Sequence, residues 1–220
     1  SADVILSPSD GQLLQAGIVR LRSPVDQNLT ESGQVCIHVH HCPVPDEALL
    51  AALALSCSIF QEDSGPYASE EGWRENAGRD GCLVLATVPS AQHMGKHVAV
   101  GFAFLFRKFD GLGHHLWLCG VDRRLRGNGV FGEILRLVLS LPGVDMLTVV
   151  THSTEFPAMY SAMTRYMHAD LAGAAGGSAL LAEIAATLPP ATADMLAAKL
   201  ASCRSHGQSF FVGGRSFIKR

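Results

Sequence analysis

The segment richest in chemistry is Leu116-Trp117-Leu118-Cys119-Gly120-Val121-Asp122-Arg123-Arg124-Leu125-Arg126-Gly127-Asn128-Gly129-Val130-Phe131-Gly132-Glu133-Ile134-Leu135. An apolar strand pattern ends, a short basic turn follows, and a glycine-rich loop runs straight into a helical pattern. Glycine lets the backbone approach a ligand closely, and the first N–H groups of a helix have no partner inside it. With the positive end of the helix dipole, those donors suit an anion such as a pyrophosphate. Arg124 and Arg126 add positive charge beside it. The bland alternative is a glycine pair that merely starts a helix. A dinucleotide fingerprint would require a third glycine and an N-terminal βαβ unit, and neither is expected here. The Gly-Lys-Ser/Thr of a Walker loop is absent as well.

A second cluster, Cys36-Ile37-His38-Val39-His40-His41-Cys42, places Cys36, His38, His40 and Cys42 on one face of an alternating strand. Alternate strand residues stand about 6.6–6.8 Å apart. Four of them on one straight strand cannot converge on a tetrahedral ion with bonds of about 2.0–2.3 Å. An ordinary half-buried strand is expected, and no metal. Further on, Glu62, Asp63, Tyr67, Glu70, Glu71 and Trp73 gather acidic and aromatic groups. They suit a cationic amine through charge and cation–π contact. The simpler reading is a solvated polar loop with one packing tryptophan.

The elements that must position these groups follow from pattern. Gln34–His41 alternates as a strand, and Pro45-Asp46-Glu47 opens a helix running to Phe60. A polar loop from Gln61 to Ala68 leads to a short helical stretch around Trp73. Strands are expected at Cys82–Val88, Val98–Phe109 and His114–Val121, the last two joined through Asp110-Gly111-Leu112-Gly113 as an antiparallel hairpin. Gly129 to Leu141 reads as a helix with Phe131, Ile134, Leu135 and Val138 on one stripe, stopped by Pro142-Gly143. Met146–Thr151 reads as a buried strand and Ala158–Met167 as a helix.

Residues 1–33 read as an arm or irregular extension, and residues 34–220 as a single domain. A helical insertion at about 171–205 contains two short helices broken at Pro189-Pro190, an appendage rather than a second domain. Phe210-Phe211-Val212 and Phe217-Ile218 suit terminal strands. The expected class is α/β, a mixed and mostly antiparallel central sheet with helices on both faces.

The run Val121…Arg126-Gly127-Asn128-Gly129-Val130…Ile134 resembles the acetyl-CoA motif of the GNAT acetyltransferase superfamily, Val-x-x-x-x-Arg/Gln-x-x-Gly-x-Gly/Ala. The similarity covers roughly residues 34–167, and the element order agrees with it. The resemblance implies a splayed pair of strands, 114–121 and 146–151, with a pantetheine arm between them. It assigns the arm to backbone groups of Cys119 and Val121. The pyrophosphate falls to the N–H groups of Arg126, Gly127, Asn128, Gly129, Val130, Phe131 and Gly132. Acetyl-CoA is the implied co-substrate. Phe131 departs from the Gly/Ala position, and the stripe it shares with Ile134 and Leu135 would turn it into the core.

Acetyl transfer to an amine needs two proton movements: the ammonium must lose a proton, and the departing thiolate gains one. The resemblance implies a tyrosine donor on the helix after the splayed strand, where Met159-Tyr160 stands, with Tyr166 as a fallback. It also implies a base six residues before Val121, which is His115 in this sequence. An imidazole of ordinary pKa serves near neutral pH. Water alone, with Glu155 nearby, is the competing account. Two departures are His152-Ser153, where the family carries Asn, and the missing Gly-Phe after the following helix.

Composition sets outer limits. The 220 residues are 48% hydrophobic and 17% charged, with a formal net charge of −3. That suits a globular chain and argues against a duplex nucleic-acid binder, which usually carries a basic face. No apolar run approaches the roughly 20 residues of a membrane span, and Ser1 to Ser7 lacks a signal-peptide pattern. Six scattered cysteines in apolar surroundings point to a reducing, cytoplasmic setting. The expected partner is a small-molecule or peptide amine acceptor, with no nucleic acid and no membrane, for a monomer or homodimer. A catalytically weak acyl-CoA-binding sensor and an acyltransferase with a larger acyl group or an alcohol acceptor are the other readings.

Overall fold

The computed structural model describes residues 5–6, 15–22, 29–30, 32–60, 69–78, 80–109, 111–151, 157–167, 169–173 and 176–214. The chain divides into two compact units. The first comprises Ser1–Phe106 and Trp117–Leu137, the second Arg107–Leu116 and Val138–Arg220. Among the described residues, no helix is long and apolar enough to cross a membrane.

The first unit is built on strands β1 (Ile5–Leu6), β2 (Gln15–Arg20), β3 (Gln34–His41), β4 (Gly81–Pro89), β5 (His97–Lys108) and β6 (Gly113–Val121), of which β6 and the last residues of β5 also enter the second unit. Hydrogen bonding runs β2-β3-β4-β5-β6, and β1 pairs antiparallel with β5. Residues 1–33, expected as an arm, therefore contribute two strands. β2 pairs along β3 from Gln15↔His38 to Arg20↔Gln34, with a bulge near Gly17. Its pattern escapes a periodicity search because it is short and lies at the sheet edge, where one face and one side need no apolar residues.

Helices α1 (Asp46–Phe60), α2 (Glu70–Ala77) and α3 (Val130–Ser140) cover this sheet on both faces. α1 begins with Asp46 and Glu47 in its first turn, as the dipole prefers. Its Leu49, Leu53, Leu55 and Ile59 pack with Leu83, Leu85, Phe102 and Phe104 of the sheet. α2 is capped by Ser69, whose hydroxyl accepts from the Gly72 N–H. It delivers Trp73, fully buried, against Phe104, Phe102 and Trp117 at ring separations of 5.5, 5.7 and 5.6 Å. Trp73 is thus a core residue, and the simpler of its two readings holds. α3 lies on the opposite face, where a Cβ on Gly101 would meet the Ile134 side chain at 3.2 Å. That coverage explains why β4 and β5 are buried almost throughout.

In the second unit the start of β6 pairs in parallel with β7 (Leu147–Thr151), which pairs antiparallel with β9 (Ser209–Gly213); β8 (Ala169–Asp170) flanks β9. α4 (Pro157–Tyr166) packs on one face, with Tyr160 edge-on to Phe211 at 5.5 Å. α5 (Gly177–Ala185) and α6 (Pro190–Ser205) pack on the other, where Leu181, Ile184, Leu196, Leu200 and Cys203 share a core with Phe210 and Val212. The expected break at Pro189-Pro190 is there. These helices are not an appendage, however, because their apolar stripes form one wall of this unit's core. The sheet is mixed and mostly antiparallel, as expected: the first unit's pairs β1–β5, β2–β3, β3–β4 and β4–β5 are antiparallel and the β6–β7 pair of the second unit is parallel, with helices on both faces in each unit.

Candidate active site

β6 carries the first part of the candidate site. Trp117 and Leu118 both pack on the core beneath α1 and α2. The ladder joining β6 to β7 runs from His114↔Leu147 to Leu116↔Val149. Cys119 is fully enclosed, and burial pushes its thiol up to about 12. It is an inert thiol, and any contribution of this residue to a ligand comes from its backbone.

A single 3-10 turn, Arg123–Leu125, follows β6. Asp122 caps it, accepting from the Arg124 N–H at 2.8 Å and from the Arg124 guanidinium at 2.7 Å. Burial pushes the Asp122 carboxyl up, but Arg124 and Arg126 more than reverse this and hold it below its usual range. Arg124, expected as a cation for the anion site, is therefore already neutralised by its neighbour. Arg126 is exposed, and its Nε donates to the Val121 carbonyl at 3.4 Å.

The loop then reaches α3 through Gly127 and Gly129, both exposed and both at φ 82°. A Cβ would meet nothing within 4 Å at either position, so the torsion alone requires glycine here. The Arg126 and Asn128 amides bond back to Arg123 and Leu125 carbonyls at 3.4 Å, and Glu133 N–H makes the first full helical bond, to Gly129, at 3.0 Å. Helix geometry leaves the amides of Val130, Phe131 and Gly132 without an intrahelical acceptor. The donor set is thus narrower than the seven amides expected. The Asn128 side chain is buried and donates its Nδ2 to Leu125 at 3.4 Å.

Phe131 is only half-buried. Ile134, Leu135 and Val138 of the same stripe are buried, so Phe131 lies on the expected face but in the first turn, where it is not fully covered. Glu133 pairs with Arg136 on the same helix.

Gly132 completes a G-x-G-x-x-G spacing, and β6, α3 and β7 form a parallel strand–helix–strand crossover. The dinucleotide motif set aside on sequence grounds must therefore be weighed again. Among the described residues β7, Leu147–Thr151, carries no carboxylate of the kind that ribose recognition calls for.

His115 and Tyr160 belong to the second unit. Nδ1 of His115 lies 3.0 Å from Thr148 Oγ1. Burial, with Lys108 and Lys199 adding repulsion, lowers its pKa to about 3. Such an imidazole stays neutral but is a very weak base. Tyr160 donates its hydroxyl to Asp170 Oδ2 at 3.5 Å. Burial first, then the Asp170 charge and this hydrogen bond, raise the phenol above its ordinary pKa. Asp170 is itself anchored by the N–H groups of Ala172 and Phe210, each at 3.0 Å. Its contact with Ala172 is local, but nothing near Asp170 in the sequence signals its meeting with Tyr160 of α4 or Phe210 of β9. Tyr166, the fallback donor, is 38% exposed.

His152, Ser153, Glu155, Glu62, Asp63 and Tyr67 lie outside the described residues. Glu70 faces solvent and pairs with Arg74 at 2.9 Å. Among the described residues, no group of three or more His, Cys, Asp or Glu side chains could hold a metal. On β3, His38 is buried and its pKa is lowered to about 4, by burial first and then by His40 and His97.

No protein-family model matches the chain, and no curated protein matches it. Among solved structures, the chain is similar to that of Arabidopsis thaliana NAA60 in complex with a bisubstrate analogue. The two are 15% identical over 60% of this chain and 81% of that chain, with a TM-score of 0.40.

Proposed function

We propose that the chain binds acetyl-CoA through residues 119–132 and transfers the acetyl group to an amine, as its motif's resemblance to GNAT enzymes implies. The observation that carries this reading is the turn into α3. Two exposed glycines in the left-handed conformation lead to three first-turn amides, with Arg126 alongside. Those donors and the helix dipole suit the diphosphate of CoA. The exposed turn also has no side chain to obstruct a phosphate. Acetyl-CoA, when bound, supplies a thioester whose carbonyl carbon accepts the amine while the C–S bond breaks.

Tyr160 is the proposed donor. Its raised pKa keeps the phenol protonated at neutral pH, so it can pass that proton to the departing sulfur and recover one from water. The ammonium proton is a separate matter. An ammonium of ordinary pKa is about seven units less acidic than an imidazolium titrating near 3. Burial therefore opposes a general-base role for His115, and in this scheme the amine loses its proton to hydroxide or buffer in bulk solvent and attacks as the free amine.

The weak basicity of His115 also favours a second reading, an acyl-CoA-binding module with little turnover. Calorimetry with CoA and acetyl-CoA, together with thiol release across a panel of small and peptide amines, separates the two. Binding with amine-dependent thiol release supports the transferase. Binding without release on any acceptor supports the module. No affinity for either nucleotide ends both readings.

A further inference from the structure

Asn128 stands between the two left-handed glycines, yet is 4% exposed while both of them face solvent. Its side-chain Oδ1 accepts from the backbone N–H of Arg22 at 2.9 Å, 106 residues away in sequence, and its Nδ2 donates to the Leu125 carbonyl at 3.4 Å. Both ends of the amide are thus directed at protein rather than at a ligand. The Arg22 end of the bond is fixed in turn, because the adjacent Leu21 N–H donates to the Gly33 carbonyl at 2.8 Å. A second approach lies nearby: a Cβ on Gly17 of β2 would stand 3.7 Å from Glu133 Oε1 in the first turn of α3.

We infer that Asn128 is a positioning residue tying the N-terminal strand to the glycine turn, so that order around Arg22 and occupancy of the turn by a CoA diphosphate are linked equilibria. The inference rests on the acyl-CoA reading above. Its physical basis is preorganisation. The turn presents its amides to a diphosphate only while Gly127 and Gly129 hold their left-handed torsions, and free glycine visits many others. A side chain between them, bonded on both sides, confines that search before the ligand arrives. Linkage is reciprocal, so a ligand that confines the same turn must strengthen the Arg22–Asn128 bond by the same factor.

Two measurements on the whole chain test this. In hydrogen exchange of the unaltered protein, saturating CoA should slow the Arg22 amide about tenfold relative to the ligand-free protein. In calorimetry, Asn128→Ala should weaken CoA binding about tenfold or more while the protein still unfolds cooperatively. If the unaltered protein binds CoA but its Arg22 amide exchanges at the same rate, and Asn128→Ala binds within about twofold, the coupling is overturned and the acyl-CoA reading stands. If the unaltered protein binds no CoA, that reading falls and the coupling with it. Should Asn128→Ala fail to fold, the exchange comparison decides alone.

Discussion

Tyr160 and Gly129 show how little of a residue's role resides in its type. Tyr160 is one of two tyrosines on α4, and its surroundings set it apart. Phe211 fixes the ring, and Asp170 accepts from the hydroxyl and raises its pKa. Tyr160→Phe is expected to lower turnover about tenfold or more with little change in CoA affinity. An unchanged rate would remove it from the mechanism. Asp170→Asn withdraws the charge that raises the phenol, so the alkaline limb of the rate profile should move to lower pH. For Gly129 the argument is torsional. An alanine would meet nothing within 4 Å but would be held at φ 82°, at a cost of about 1–2 kcal/mol. Gly129→Ala should therefore lower the thermal midpoint and weaken CoA binding together, and loss of neither would contradict the account of the turn.

At the scale of elements, α2 and α3 make the same point from opposite directions. α3 was legible because its apolar stripe, its glycine start and its Pro142-Gly143 stop are all local. Phe131 lies on that stripe as expected, and being in the first turn it is only half-buried. For α2 the sequence offered only a short polar helix with a tryptophan, and packing alone decides that Trp73 is an anchor. Trp73→Ala removes a fully buried ring from contact with Phe102, Phe104 and Trp117. It should cost about 3–5 kcal/mol, read from urea unfolding. A loss below about 1 kcal/mol would mean the ring is not buried as described.

For the molecule as a whole, buried histidines tie stability to pH. His38 titrates near 4 and His115 near 3 in the folded state, against 6.5 in the ordinary case. The unfolded chain therefore binds more protons below pH 6.5, and stability falls as the pH drops. Their contribution is intact above pH 6.5 and is lost progressively toward pH 4 for His38 and pH 3 for His115. Unfolding midpoints measured from pH 7 to 4 should decline, and His38→Asn should flatten the decline. A midpoint independent of pH across that range would show that these imidazoles are hydrated.

Sequence alone determined the order of strands and helices from residue 34 to 167, the break at Pro189-Pro190 and the position of the glycine turn. Each of these depends on periodicity, caps or torsional freedom within a few neighbouring residues. Tertiary structure decided what depends on distant partners. It placed β2 beside β3 and Arg22 on Asn128, and gave Tyr160 its carboxylate. It also surrounded His115 with protein groups that hold its pKa near 3. A pattern within a chain segment records what that segment prefers, whereas burial and pairing record which other segments arrive beside it.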